Sequence, residues 1–175
     1  MLVGEHVVLR ARWSSDVAVL HDELYDDVPT RVRADTRGWT PVGVEHSPYA
    51  VHEGGADAAE FSIVERSGGQ LAGEAILWEV DQHNRSAHAG LALRPAFRGR
   101  GLAEDTLRVL VDYALSIRGL HRVQLEVVAG NQPMLAAARR VGFEQDGVLR
   151  ESVWVNGAFA DQVVLSRLAG GPARA

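Results

Sequence analysis

Cysteine is absent from the 175 residues, which excludes disulfides, thiolate nucleophiles and cysteine-ligated metals together. Lysine is absent as well, all eighteen basic residues being arginines, so a P-loop, whose lysine follows its glycines, is excluded. No apolar run approaches the roughly 18 residues that span a bilayer. The N-terminus, with Glu5 and alternating polarity, lacks the apolar segment of a signal peptide, and the expectation is a cytoplasmic protein with no membrane partner. A basic excess is missing too: the net charge of -5 argues against nucleic acid, because a phosphate-binding surface carries surplus positive charge. The seven histidines show no paired spacing, so no metal site is expected. Repeats and low-complexity tracts are lacking.

What is present is the composition of a soluble globular protein, 46% hydrophobic and 23% charged, in a length that suits one domain. That domain is expected over 1–168, with 169–175 as a fraying tail. Val7 to Ala11 reads as a strand with Arg10 and Arg12 alternating out of it, and Ser14-Ser15-Asp16 offers caps for a helix running to about Tyr25. Residues 26–57, with Pro29, Pro41 and Pro48, predict loops and short helices that fold over something, a substrate lid being one reading and plain surface packing the other. Phe61 to Arg66 and Leu71 to Val80 flank a glycine turn as a hairpin, and Ala87 to Leu93 follows as a third strand.

The stretch from Arg94 to Ala103, Arg-Pro-Ala-Phe-Arg-Gly-Arg-Gly-Leu-Ala, joins that strand to a helix reaching about Ile117. Its N-H groups at the helix start have no intrahelical partners and lie at the positive end of the helix dipole. Gly99 and Gly101 let an anion approach the backbone, and Arg98 and Arg100 add charge. A dinucleotide fingerprint is excluded, because the third small residue it requires is Glu104 here. An anion site and an ordinary strand-to-helix turn are the two readings that this stretch supports by itself. Beyond it, His121 to Val128 predicts a strand parallel to Ala87 to Leu93, since a helix connects them. Asn131 caps a helix ended by Gly142, and Val148 to Val155, Asn156-Gly157 and Ala158 to Arg167 spell a hairpin.

The spacing Arg98-x-x-Gly101-x-Ala103 resembles the pyrophosphate-binding motif of the GCN5-related N-acetyltransferases (GNAT), which bind acetyl-CoA. Further pieces in the same order are Leu2-x-Gly4 with Leu9-Arg10, then Asn131, Val141-Gly142-Phe143, Gly147 with Leu149-Arg150, and Asn156-Gly157 followed by Asp161. Together they resemble the RimJ/RimL-type branch, which acetylates ribosomal-protein N-termini and related amines. The resemblance implies an α/β fold of the α+β type, a splayed, mostly antiparallel sheet of about seven strands with flanking helices. It implies acetyl-CoA as co-substrate, its pantetheine arm along Leu91, Ala92 and Leu93 with Asn131 nearby, and its pyrophosphate on Arg98, Gly99, Arg100, Gly101, Leu102 and Ala103. A plain cap remains the other role open to Asn131.

The partner of acetyl-CoA is then an amine, on a small molecule or a protein N-terminus, and it must lose a proton before it attacks the thioester. By the same resemblance Asp81 falls near the catalytic glutamate of RimL-type enzymes, with Glu79 close enough to compete; Glu74 and His88 are further titratable groups near the cleft. Met134 stands where that branch has a serine, so it cannot donate a proton to the leaving thiolate. Trp39, Trp78 and Trp154 are candidates for the wall of an acceptor pocket. An acyl-CoA-binding sensor without turnover, and a transferase using succinyl-CoA with arginines of 26–57 receiving its carboxylate, are the alternatives. A homodimer through the last hairpin or an edge strand is one outcome the pattern allows.

Overall fold

The computed structural model describes residues 1–32, 34–52 and 55–170. Its strands are β1 (Leu2–Val3), β2 (Val7–Ala11), β3 (Ala59–Glu65), β4 (Leu71–Asp81), β5 (Ser86–Leu93), β6 (Arg122–Val128), β7 (Glu144–Val155) and β8 (Ala158–Leu168). Its α-helices are α1 (Ser14–Leu20), α2 (Val28–Arg31), α3 (Leu102–Asp112) and α4 (Gln132–Arg140). The strands form one sheet in the order β1-β2-β3-β4-β5-β6-β8-β7. Eight replace the seven expected because the chain before Gly4 doubles back, pairing Leu2 with Leu9 and Val3 with Val8. Among the described residues only β5 and β6 run parallel, as the intervening α3 requires. Of the tail expected at 169–175, residues 171–175 lie outside the described residues. Among the described residues no helix is long and apolar enough to cross a membrane.

One face of the sheet is covered by α3 and α4. Leu107 and Leu110 of α3 and Leu135 and Ala138 of α4 meet Val7, Leu9, Ile63, Ala75, Leu77, Val123 and Leu125 of the strands in the main core. On the other face α1 continues into a π-helical turn, His21–Tyr25, and a second, smaller cluster joins Leu20, Leu24 and Tyr25 to Tyr49 and to Ala92 of β5. Part of the irregular 26–57 segment is thereby fastened over the sheet. Ser14 and Ser15 lie inside α1, whose N-cap is Trp13. The Asp16 carboxylate accepts the Trp13 N-H at 2.9 Å and is gripped by both terminal nitrogens of Arg10 at 2.6 and 2.9 Å.

Asp105, buried in the first turn of α3, accepts the backbone N-H groups of Glu5, His6 and Val7 at 3.2, 2.7 and 3.0 Å. The chain reversal between β1 and β2 is thus tied to the helix by one carboxylate. Asp105→Ala leaves those donors without their acceptor and is expected to lower stability by about 2 kcal/mol. A shifted urea midpoint with an unchanged m-value checks this.

The sheet opens in its middle. β5 and β6 pair only at Ser86 with Arg122, Ala87 with Val123 and His88 with Gln124. Beyond that point β5 stays paired to β4 as far as Leu93, and β6 stays paired to β8 as far as Val128. The two strands therefore diverge, and a gap lies between their C-terminal halves.

Candidate active site

Backbone direction along β5 decides what faces the gap. The Arg94 N-H donates to Ala72 on the β4 side, whereas the Arg85 carbonyl accepts from His121 and Arg122 on the β6 side. Because peptide groups alternate along a strand, Ala89 and Leu91 present their N-H and C=O groups to the gap, where β6 has already departed. The Leu93 carbonyl faces the same way and accepts from Nε of Arg98 at 3.0 Å. Ala92 turns its carbonyl to β4 instead, so close that a Cβ on Gly73 would lie 2.0 Å from that oxygen.

At the end of the gap the chain makes a short 3-10 turn, Pro95–Phe97, and enters α3 through two left-handed glycines, Gly99 at φ 71° and Gly101 at φ 77°. Gly101 is the helix N-cap and supplies no side-chain hydrogen bond, so the first amides of α3 keep their donors for a ligand. Arg98, Gly99 and Ala103 line a cavity of about 560 Å³ that runs from this turn through the gap to the Asn131–Met134 region. Asn131 is both cap and wall, its side chain accepting the Met134 N-H at 3.4 Å.

The far half of the cavity carries most of its charge. Its wall includes Glu60, Glu74, Ile76 and Trp78 from β3 and β4, and Arg31, Asp35, Arg37 and Tyr49 from the segment folded over them. Arg12, whose side chain is 3% exposed, bonds Glu60 at 3.1 Å and Glu74 at 2.8 Å. Asp35 holds Arg31 at 2.8 Å and Arg37 at 2.9 Å. Burial raises the pKa of the Glu74 carboxyl above its ordinary value, outweighing the opposing effect of Arg12, and the charges of Glu60 and Asp35 push the same way. Burial also raises the Tyr49 phenol, helped by Glu74 and Asp35, so the hydroxyl stays protonated near neutral pH.

Residues 6–144 match the family described as an acetyltransferase (GNAT) domain. The chain belongs to the GNAT family. A putative ribosomal N-acetyltransferase, YdaF of Bacillus subtilis (strain 168), is 35% identical over 100 residues, 57% of this chain and 55% of that protein. Spermidine N(1)-acetyltransferase of Escherichia coli (strain K12) is 26% identical over 107 residues, 61% of this chain and 58% of that protein. The match thus spans little more than half the length of these relatives. Among solved GNAT folds, spermidine N-acetyltransferase from Vibrio cholerae in complex with CoA and spermine superposes with a TM-score of 0.82, at 22% identity, covering 93% of this chain and 95% of that one. RimJ of Mycobacterium smegmatis in complex with CoA-disulfide gives a TM-score of 0.78 at 23% identity, covering 93% and 82%.

Within this GNAT fold the residues singled out from sequence separate into two groups. Leu91, Ala92, Leu93, Arg98, Gly99, Ala103 and Asn131 all line the one cavity, although the backbone of Ala92 serves β4. The side chains of Arg100 and Leu102 leave it: Leu102 is buried in the main core, and the Arg100 guanidinium pairs with Glu65 beside a separate hollow. Gly101 contributes its backbone conformation alone.

Glu79 and Asp81 are not on the cavity wall. A bulge between Trp78 and Asp81 breaks the alternation of β4 and gives Glu79 a φ of 50°. The Glu79 side chain is 72% exposed and faces His88 at 3.5 Å, while Asp81 accepts from the N-H and side-chain amide of Asn84 at 2.8 and 2.6 Å, fixing its own turn. Glu74 is the carboxylate of β4 that faces inward, on one row with Ile76 and Trp78. The i, i+2, i+4 spacing of these three was the available signal. Arg12, expected to point out of β2, instead anchors the acidic pair. Of the tryptophans only Trp78 lines the cavity; Trp154 meets Phe159 edge to face near the tip of the last hairpin, and both are exposed. Among the described residues no group of three or more histidines or acids is arranged to hold a metal ion.

Proposed function

We propose that this GNAT domain is an acetyl-CoA-dependent N-acetyltransferase, moving an acetyl group to a primary amine by direct attack on the thioester. The observation that carries it is the continuity of one cavity from the uncapped start of α3, through the gap where β5 and β6 part, to Glu74, whose side chain is 16% exposed. Acetyl-CoA supplies the activated acetyl group. Its pyrophosphate suits the amides after Gly99 and Gly101, flanked by Arg98, and its pantetheine amides suit the backbone of Ala89 and Leu91, extending β5 as a strand would.

Glu74 is the base in this reading. Its raised pKa brings it nearer to that of the proton it must accept, directly or through one water. The N-H groups facing the gap supply donors to the oxygen that gains charge in attack. Met134 has no proton for the thiolate, and Tyr49 is the one hydroxyl-bearing side chain of the cavity lining among the described residues, which makes it the available donor. The relatives' names, a putative ribosomal N-acetyltransferase and a spermidine N(1)-acetyltransferase, agree with N-acetylation but differ from each other in kind.

Release of CoA thiol from acetyl-CoA, screened against primary amines, amino acids and peptides, tests the proposal. Tight acetyl-CoA binding without thiol release for any acceptor would point instead to a sensor of acyl-CoA.

A further inference from the structure

Three carboxylates and three guanidiniums meet at the acceptor end of the cavity, Glu60 and Glu74 on Arg12, and Arg31 and Arg37 on Asp35. Their charges cancel. A pocket for a polyamine needs surplus negative charge, since every further ammonium group brings a charge of the same sign. Here a second or third ammonium would meet Arg31 and Arg37.

The set is instead short of acceptors. Each guanidinium offers five N-H donors, and three carboxylates cannot take them all. Nε of Arg31, on a side chain only 5% exposed, has no hydrogen-bond partner among the described residues, and neither has Nε of Arg12. Arg37 stands at the cavity wall with 78% of its side chain exposed. Its guanidinium donates to Asp35 through Nε and one terminal nitrogen, both at 2.9 Å, and shares that carboxylate with Arg31, so its other terminal nitrogen is the donor left for a ligand. The same cavity also has an apolar wall, to which Ile76, Trp78 and Leu24 contribute. The Trp78 ring lies so close over β5 that a Cβ on Gly90 would meet it at 3.0 Å.

Resting on the acetyltransfer reading, we infer that the acceptor is an apolar amino acid, bound as a zwitterion. Its amine goes to Glu74, its side chain lies against Trp78 and Ile76, and its carboxylate is received by Arg37. Glu74 pairs in register with Ala92 of β5, which puts the amine at the edge of the gap where the thioester is expected. The ammonium loses one proton to Glu74, which later returns it to solvent; the neutral nitrogen forms the amide bond to the acetyl carbon as the carbon-sulfur bond breaks, and the second proton that leaves the nitrogen balances the one the thiolate gains, relayed through Tyr49 or water. An N-acetylamino acid and CoA are the products.

Matched trios test the carboxylate alone: L-phenylalanine, L-phenylalaninamide and phenethylamine, with the corresponding sets for leucine and tryptophan, and spermidine as polycation. Thiol release is followed with acetyl-CoA, and kcat/KM is expected to be about tenfold or more higher for at least one free amino acid than for its amide and its decarboxylated amine, from the charge-assisted bonds to Arg37. Arg37→Gln, at a position whose side chain is 78% exposed, is expected to abolish this preference by raising KM for the amino acid while leaving KM for the amine unchanged, with thermal unfolding checking that the variant is folded. Preference for the amide, which mimics a peptide N-terminus, or for spermidine overturns the inference and leaves acetyltransfer standing. So does an Arg37→Gln effect that appears only in the KM of succinyl-CoA used as donor. Acetyl-CoA bound with no thiol released by any acceptor overturns both readings.

Discussion

Gly101→Glu is expected to weaken acetyl-CoA binding about a hundredfold, a loss of about 2.7 kcal/mol, while the protein stays folded. Two effects of similar size combine. Gly101 sits at φ 77°, where any side chain costs roughly 1–2 kcal/mol, and that strain falls on the turn whose amides are proposed to hold the pyrophosphate. The added carboxylate then sits at the positive end of α3 and takes the place that a phosphate would use. A Cβ at this position meets nothing within 4 Å, so packing is not disturbed, and the strain is small beside a domain stability of about 5–15 kcal/mol. Gly101→Ala carries the strain without the charge and should lie between wild type and Gly101→Glu. Calorimetric titration with acetyl-CoA reads the affinities and thermal unfolding reads the fold. An unchanged dissociation constant in the glutamate variant would remove the pyrophosphate assignment.

The glycine turn before α3 was legible in the sequence because its conformation is a property of the backbone. Glycines at the junction of a strand and a helix are a local pattern, and the structure places both at positive φ. The last hairpin was legible for the same reason, with Asn156 at φ 50° and Gly157 at φ 85° forming its turn. Its first strand was not fully visible. β7 begins at Glu144, four residues before the reading from Val148, because its exposed positions and two register shifts erase the alternation that marks a strand.

The acceptor half was illegible for a different reason. Arg12 reaches partners 48 and 62 residues away, and the only thing that joins them is the pairing of β2 with β3 and of β3 with β4. No local spacing encodes such a cluster. The expectation for Asp81 and Glu79 rests on the resemblance to RimL-type enzymes, aligned on Gly73 and Gly90, which carries no sign of the bulge after Trp78, and one break in alternation moves a side chain from the inner face to solvent. Likewise, the segment 26–57 read as irregular from its prolines, but only Tyr49 packing on Leu24 and Ala92 shows that part of it roofs a cavity.

Glu74→Gln is expected to lower kcat by about a hundredfold to a thousandfold, the range for loss of a positioned base. The change is nearly isosteric, and the glutamine carbonyl can still accept from Arg12, so acetyl-CoA should bind within about twofold of wild type. The pH dependence distinguishes a base from a merely structural group. Burial raises the carboxyl pKa above its ordinary value, and only the ionised form accepts a proton, so kcat of the wild type should fall as the pH drops through that raised pKa. The inflection should lie above the usual carboxylate range. In Glu74→Gln that limb should vanish and the residual rate should follow ionisation of the amine alone. Asp81→Asn and Glu79→Gln, both outside the cavity, should change kcat by less than about twofold under the same conditions, as exposed groups away from the reacting atoms do. If either of these abolishes the acid limb and Glu74→Gln keeps it, the base is at the end of β4 after all, and the bulge must rearrange when the ligands bind.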